Sequence, residues 1–164
     1  MADWPSACVA DANILIDLHA GGVLKEAFAL PFQWMTPDVV LAELQNPPGA
    51  ELLEYGLKEE EMTAEQVLEV AGLVSVYRRV STNDLFALVL AEDSAATLLT
   101  GDRHLREIAK SREVPVHGTL WVLDQLVELE LLNPARAASA LRAMVATGSR
   151  LPPDESTARL SRWK

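Results

Sequence analysis

Ala7-Cys8-Val9-Ala10-Asp11-Ala12-Asn13-Ile14-Leu15-Ile16-Asp17-Leu18 is the stretch on which the fold turns. The short apolar run at 7–10 is too brief for a helix and suits a buried strand. Asp11 follows at once. Apolar residues at 14, 15 and 18 then recur with helical spacing until Gly21-Gly22 stops them. A strand, an acid and a helix in that order begin a βα unit. In open parallel sheets ligands bind outside the carboxyl ends of the strands, which is where this reading places Asp11.

Outward from that unit, Val23–Leu30 reads as a short helix ended by Pro31, and Phe32–Met35 as a strand. Thr36-Pro37 predicts a helix start, with Thr as N-cap and Pro at the first position, running through Glu43 and Leu44. Residues 51–63, with Glu59-Glu60-Glu61, show no periodicity. Thr63 with Gln66 forms a capping box for a helix from Ala64 to about Tyr77. Ser81-Thr82-Asn83-Asp84 opens another, whose Leu85–Ala91 is apolar all round and must be buried. Ala96–Thr100 reads as a strand, and Asp102 caps a helix to about Arg112. Val114–Val116 reads as an edge strand, Thr119 opens a helix from Leu120 to Leu131, and Asn133-Pro134 opens one to about Ala146. Strands alternating with helices predict an α/β protein with a parallel sheet. The expected organisation is one domain over residues 1–147, including a C-terminal helix, followed by an extended or mobile tail over 148–164.

Composition narrows the class. The chain has 164 residues, 49% of them hydrophobic and 23% charged, which suits a folded domain and excludes disorder as its main state. Its net charge of −10 argues against a protein that coats DNA or a membrane surface. The charge is uneven. Residues 1–77 carry thirteen acidic and two basic side chains, whereas 78–164 carry eleven and twelve. One cysteine, Cys8, allows no intrachain disulfide and no zinc cluster. Met1-Ala2-Asp3-Trp4-Pro5 lacks the basic and apolar regions of a secretory leader, and no run is long enough to span a membrane. The expected location is cytoplasmic.

Four acids stand out. Asp11 and Asp102 each follow a strand, Asp84 sits in the first turn of the buried helix, and Glu43 lies on the helix after the second strand. Singly, Asp11 and Asp102 read as N-caps and Asp84 as the partner of Ser81. Glu43, four residues after Val39 and beside Leu44, reads as a carboxylate on an apolar face, which needs a partner. Converging carboxylates repel one another unless a cation holds them, and an all-oxygen set favours Mg²⁺ or Mn²⁺. Such a centre hydrolyses phosphate esters. Asn13 and Thr100 stand close enough in sequence to Asp11 and Asp102 to assist. Arg103, Arg106 and Lys110 share one face of the helix that Asp102 opens, as phosphate contacts or as a solvated face.

Four motifs, Val9-Ala10-Asp11-Ala12-Asn13-Ile14-Leu15-Ile16, Thr36-Pro37-Asp38-Val39-Val40-Leu41-Ala42-Glu43-Leu44, Ser81–Ala91 and Leu98-Leu99-Thr100-Gly101-Asp102, occur in an order and spacing that resemble a PIN domain. The resemblance covers roughly residues 7–132. It implies a parallel sheet of about five strands flanked by helices and a Mg²⁺- or Mn²⁺-dependent endoribonuclease of the VapC-like kind. It assigns Asp11, Glu43, Asp84 and Asp102 as catalytic and metal-binding residues. Asn13, Thr100, Arg103, Arg106 and Lys110 become accessory or substrate contacts. It further implies an RNA substrate, an antitoxin partner in a toxin–antitoxin pair, and a homodimer, with no membrane. Segment 45–80, the helix and tail after Asn133, and Arg103-His104-Leu105 after Asp102 depart from the pattern of such toxins. The alternative is a non-catalytic PIN-fold regulator that binds RNA or protein. A haloacid-dehalogenase-like phosphatase requires an Asp where Asn13 stands and a Lys between Lys58 and Lys110, and a response-regulator receiver requires an acidic pair and a late Lys. Neither requirement is met.

Overall fold

The first strand, β1 (Ala7–Ala10), is the centre of the sheet because its side chains are apolar on both faces. Cys8 and Ala10 enter one core and Val9 the other, as the two-residue alternation of a strand demands. The computed structural model describes residues 4–164. Met1, Ala2 and Asp3, on which the leader reading partly rests, lie outside the described residues.

Around β1 stand β2 (Gln33–Pro37), β3 (Lys58–Glu60), β4 (Thr97–Leu99) and β5 (Val116–His117), all parallel, in the order β3-β2-β1-β4-β5. The chain builds outward from β1 on one side, then crosses back to β4 on the other. The carboxyl ends of β1 and β4 therefore diverge at a switch point, where a crevice forms. On one face lie α1 (Ala12–Ala20), α2 (Leu24–Ala27), α8 (Thr119–Glu128) and α9 (Pro134–Ala146), packed on Cys8, Ala10, Trp34 and Leu99. Gly21 lets α9 approach the end of α1, since a Cβ there would stand 2.6 Å from Met144 Cε. On the other face lie α5 (Ala64–Val74), α6 (Thr82–Asp93) and α7 (Arg103–Ser111), packed on Val9, Met35 and Leu98. Leu85–Ala91 of α6 is buried without interruption, as its all-apolar composition requires. Among the described residues no helix is long and apolar enough to cross a membrane.

Several expectations change. Thr36 does not cap a helix. It ends β2, its hydroxyl donating to Ala10 O at 2.9 Å, and α3 (Asp38–Glu43) starts later with no side-chain cap. The featureless 51–63 region completes α4 (Gly49–Glu54) and supplies β3. That strand is Lys58-Glu59-Glu60 at the sheet edge, with Lys58 and Glu60 paired at 3.0 Å. Charge on an edge strand blocks pairing with other chains and erases the hydrophobic signal. The strand expected at Val114–Val116 forms at Val116–His117. The segment 148–164 is not an extended or mobile tail. Residues Pro153–Arg162 form α10, with Pro at the first turn, Asp154 and Glu155 early and Arg159 and Arg162 late, as the helix dipole favours. Trp163, 3% exposed, plugs it into the core, and Asp124 accepts from Arg159 Nε at 2.9 Å and Nη2 at 2.6 Å.

Candidate active site

Asp11 leaves β1 at the switch point and is completely buried. Its amide donates to Leu99 O on β4 (3.1 Å), tying the two strand ends together. One carboxylate oxygen, Oδ1, accepts from Ile14 N (2.9 Å) and caps α1. The other, Oδ2, accepts from the Thr100 hydroxyl. That hydroxyl in turn accepts from the Asp102 amide (3.0 Å). Asp102 Oδ1 accepts from Leu105 N (2.8 Å) and caps α7. A continuous chain of hydrogen bonds thus joins Asp102, Thr100 and Asp11. A capping role is compatible with a role in chemistry, because a carboxylate has about four acceptor sites and a cap uses one of them.

Asp84 completes the group from α6, held in the first turn where its amide donates to Ser81 Oγ (3.1 Å). Burial pushes its carboxyl above the usual range. A separate hydrogen bond from the Ser81 side chain to the carboxyl opposes this, and the negative charges of Asp102 and Glu43 add to it. Burial also pushes Asp11 up, to about 7. Thr100 and Ile14 oppose that shift, and the charges of Asp84 and Asp17 reinforce it. Asp84 is therefore the hub through which all four predicted acids feel one another.

Glu43 ends α3 exposed to solvent, not on an apolar face. Val40 and Leu41 take the buried positions, so its cost of burial vanishes and only its charge toward Asp84 remains. Asn13 is exposed in the first turn of α1. Arg103 is turned outward and paired with Glu107 at 3.6 Å. Lys110 is exposed eight residues along α7, about 12 Å from Asp102 at 1.5 Å per residue, so the structure does not bring it to the group. Arg106, one turn after Asp102, lines a cleft beside it with Gly101 and His117. Burial and the Arg106 charge push His117 below the usual histidine range, and its ring stacks on Trp121 at 4.2 Å.

Sequence reasoning passed over Asp17. It is buried on α1, accepting from Thr119 Oγ1 (2.9 Å) and Ser149 Oγ (2.6 Å). Its signal was present, since position 17 falls between Ile14, Leu18 and Gly21 on the face that packs inward.

The donor chemistry of Asp11, Asp84, Asp102 and Glu43 suits a hard divalent cation. All four offer oxygen, and among the described residues none is within ion-pair distance of a basic side chain. Burial first, and repulsion after it, raise Asp84 and Asp11, and a cation would counter both. Among the described residues no three such side chains are already drawn around one point, so closing on an ion requires side-chain adjustment from the exposed members.

A family model described as DUF3368: PIN domain matches residues 7–164. A PilT N-terminus domain protein from the hyperthermophilic archaeon Sulfolobus solfataricus P2 superposes with a TM-score of 0.52 at 14% identity, covering 74% of this chain and 94% of its own. VapBC2 from Rickettsia felis, bound to a DNA fragment from its promoter, gives 0.49 at 16% identity over 68% of this chain and 98% of its own. No curated protein matches the chain. At these identities the first structure supports the fold alone, while the family model reaches from β1 through α10. Because that model spans residues 7–164, the chain belongs to the PIN domain family.

Proposed function

We propose that the protein is a divalent-metal-dependent endoribonuclease that hydrolyses RNA phosphodiester bonds. The observation that carries this reading is a cluster of mutually repelling carboxylates at the β1/β4 switch point with no cation among the described side chains to balance it. Asp11, Asp84 and Asp102, with Glu43 at the rim, would hold Mg²⁺ or Mn²⁺. When bound, such an ion supplies Lewis-acid polarisation of a phosphoryl oxygen and activation of water.

The protein's own groups set the geometry. Thr100 holds the Asp11 carboxylate and the Asp102 backbone in fixed relation, so the two strand ends present one rigid acidic edge. Glu43, with no hydrogen bond to its carboxylate among the described residues, and Asp84, held only through Ser81, supply the adjustable ligands. The exposed Asn13 amide is available to donate to a phosphate oxygen. RNA is held against this edge while water displaces the leaving oxygen, which departs with a proton from solvent.

The test is cleavage of labelled RNA with Mn²⁺, with Mg²⁺ and with EDTA, comparing wild type with Asp11→Asn. Cleavage that requires metal and disappears in the variant is the expected result. Metal-independent cleavage that persists in Asp11→Asn would sink the proposal. A toxin–antitoxin setting extends the same proposal. The acid-rich residues 1–77 suit a basic antitoxin segment. The absence of a small basic-tailed reading frame beside this one counts against that extension. The alternative is a non-catalytic regulator, with which the lack of a preassembled three-ligand cluster among the described residues is compatible. Calorimetric titration with Mn²⁺ separates the two readings, because the regulator binds no ion at these acids.

A further inference from the structure

We infer that the cleft beside the acidic centre is a backbone-phosphate subsite for single-stranded RNA, in which Arg106 and Arg150 hold the strand next to the bond being cut. This rests on the ribonuclease reading above and adds the strand's path to it.

The cleft, of about 460 Å³, opens between α7, the start of α8 and the segment joining α9 to α10. Gly101, the residue before Asp102, lines it, so the cleft lies beside the acidic centre. Three guanidinium groups line it. Arg159 is neutralised by both oxygens of Asp124. Arg106 and Arg150 have no carboxylate within ion-pair distance among the described residues. In a chain where acids outnumber bases 24 to 14, two unpaired arginines on one cleft leave an anion to be supplied from outside. A strand crossing a carboxylate-bound phosphate brings its next phosphates at the spacing of one nucleotide, and the planar fork of arginine matches them.

Gly118 adds an independent geometric reason. Its backbone (φ −117°, ψ −172°) is open to any residue, so conformation does not require glycine there. Space does. A Cβ at 118 would stand 3.0 Å from Arg106 Nη1 and 3.5 Å from Thr100 O. The guanidinium thus lies against bare backbone where β4 and β5 end. Gly118 also gives the ten-residue α8 no side-chain cap, which leaves first-turn amides for an outside acceptor. The cleft is also lined by His117 stacked on Trp121, with 5° between the ring planes, a flat surface on which a base can lie.

Arg150 belongs to the segment that Ser149 anchors through Asp17. The subsite therefore exists only because the C-terminal segment docks.

The experiment measures binding of a fluorescein-labelled twelve-nucleotide single-stranded RNA to full-length Asp11→Asn protein by anisotropy, across a salt series. Arg106→Gln, Arg150→Gln and the double substitution are added to that background, with Arg142→Gln, exposed elsewhere on α9, as control. Unchanged thermal midpoints confirm folding. Each cleft substitution is expected to weaken binding roughly fivefold or more and to lower the salt slope by about 0.7, the value for one phosphate contact on a single strand. Arg142→Gln leaves both unchanged. If RNA binds the Asp11→Asn protein and the cleft substitutions behave like Arg142→Gln, the subsite is overturned and the nuclease reading stands. If that protein and wild type both fail to bind RNA, both are overturned.

Discussion

Helix α1 carries two buried aspartates, one at its amino end and one in its body, handled in opposite ways. Asp11 caps the amino end, fully buried, among other acids and with no cation near it among the described residues. Asp17, 9% exposed, sits in the body of the same helix and is satisfied by two hydroxyls brought from α8 and from the residue after Gly148. In the proposed reading the first, although both its oxygens accept hydrogen bonds, also serves an ion that arrives from solvent. The second is a charge consumed in tying three parts of the chain together. A buried carboxylate therefore reveals its role through what compensates it, not through burial alone.

That contrast can be broken in order of expected effect. Asp11→Asn should lower metal-dependent RNA cleavage by on the order of 100-fold or more, the upper range for groups that merely orient a metal ligand. Its thermal midpoint in EDTA should rise, because the substitution removes a buried charge that Asp84 and Asp17 repel. A falling midpoint would mean that Asp11 is structural. Trp163→Ala should cost about 3–5 kcal/mol in denaturant unfolding, the usual penalty for emptying a buried tryptophan site. It should release α10 and expose its amides to hydrogen exchange. Asp17→Ala should cost about 2 kcal/mol, since the Thr119 and Ser149 hydroxyls lose their shared acceptor.

The smallest effect sharpens the comparison by pH. Burial raises the Asp17 carboxyl above its ordinary value, with Ser149 and Thr119 opposing that shift. A group with a raised folded pKa stabilises fully below its unfolded pKa, about 3.9, and that contribution is lost as pH rises through the folded value. The stability of wild type relative to Asp17→Asn should therefore be greatest in acid and decline as pH rises. Chemical denaturation of both proteins in the same buffers measures it. A difference that grows with pH would show that the two hydroxyls outweigh burial.

Legibility followed the range of the interactions. The caps at Asp11, Thr63, Ser81, Asp102 and Asn133 were readable because a cap is closed within three residues of chain. The buried run of α6 was readable because no other environment suits it. Strand β3 was not, because at an edge its charges serve against aggregation and carry no hydrophobic period. Helix α10 was not, because its docking rests on Leu160, on Trp163 just beyond its end and on the long-range Arg159–Asp124 pair, against a polar background. The carboxylate-on-an-apolar-face argument was sound but was attached to the wrong residue. Glu43 is exposed, and Asp17 is the one that faces inward.

By itself the sequence determined the strand-acid-helix grammar, the placement of Asp11 and Asp102 after strands, and the burial of the helix that Asp84 opens. These follow from local hydrogen bonding and hydrophobic period, which act between near neighbours. Only the tertiary structure decided that β4 lies beside β1, so that Asp11, Thr100 and Asp102 share one chain of hydrogen bonds. It alone decided that Arg150 reaches the cleft of Arg106 and that Asp17 binds Ser149 across 132 residues. Those contacts depend on how sheet twist, crossover direction and packing volume are satisfied together, and no window of the chain contains that information.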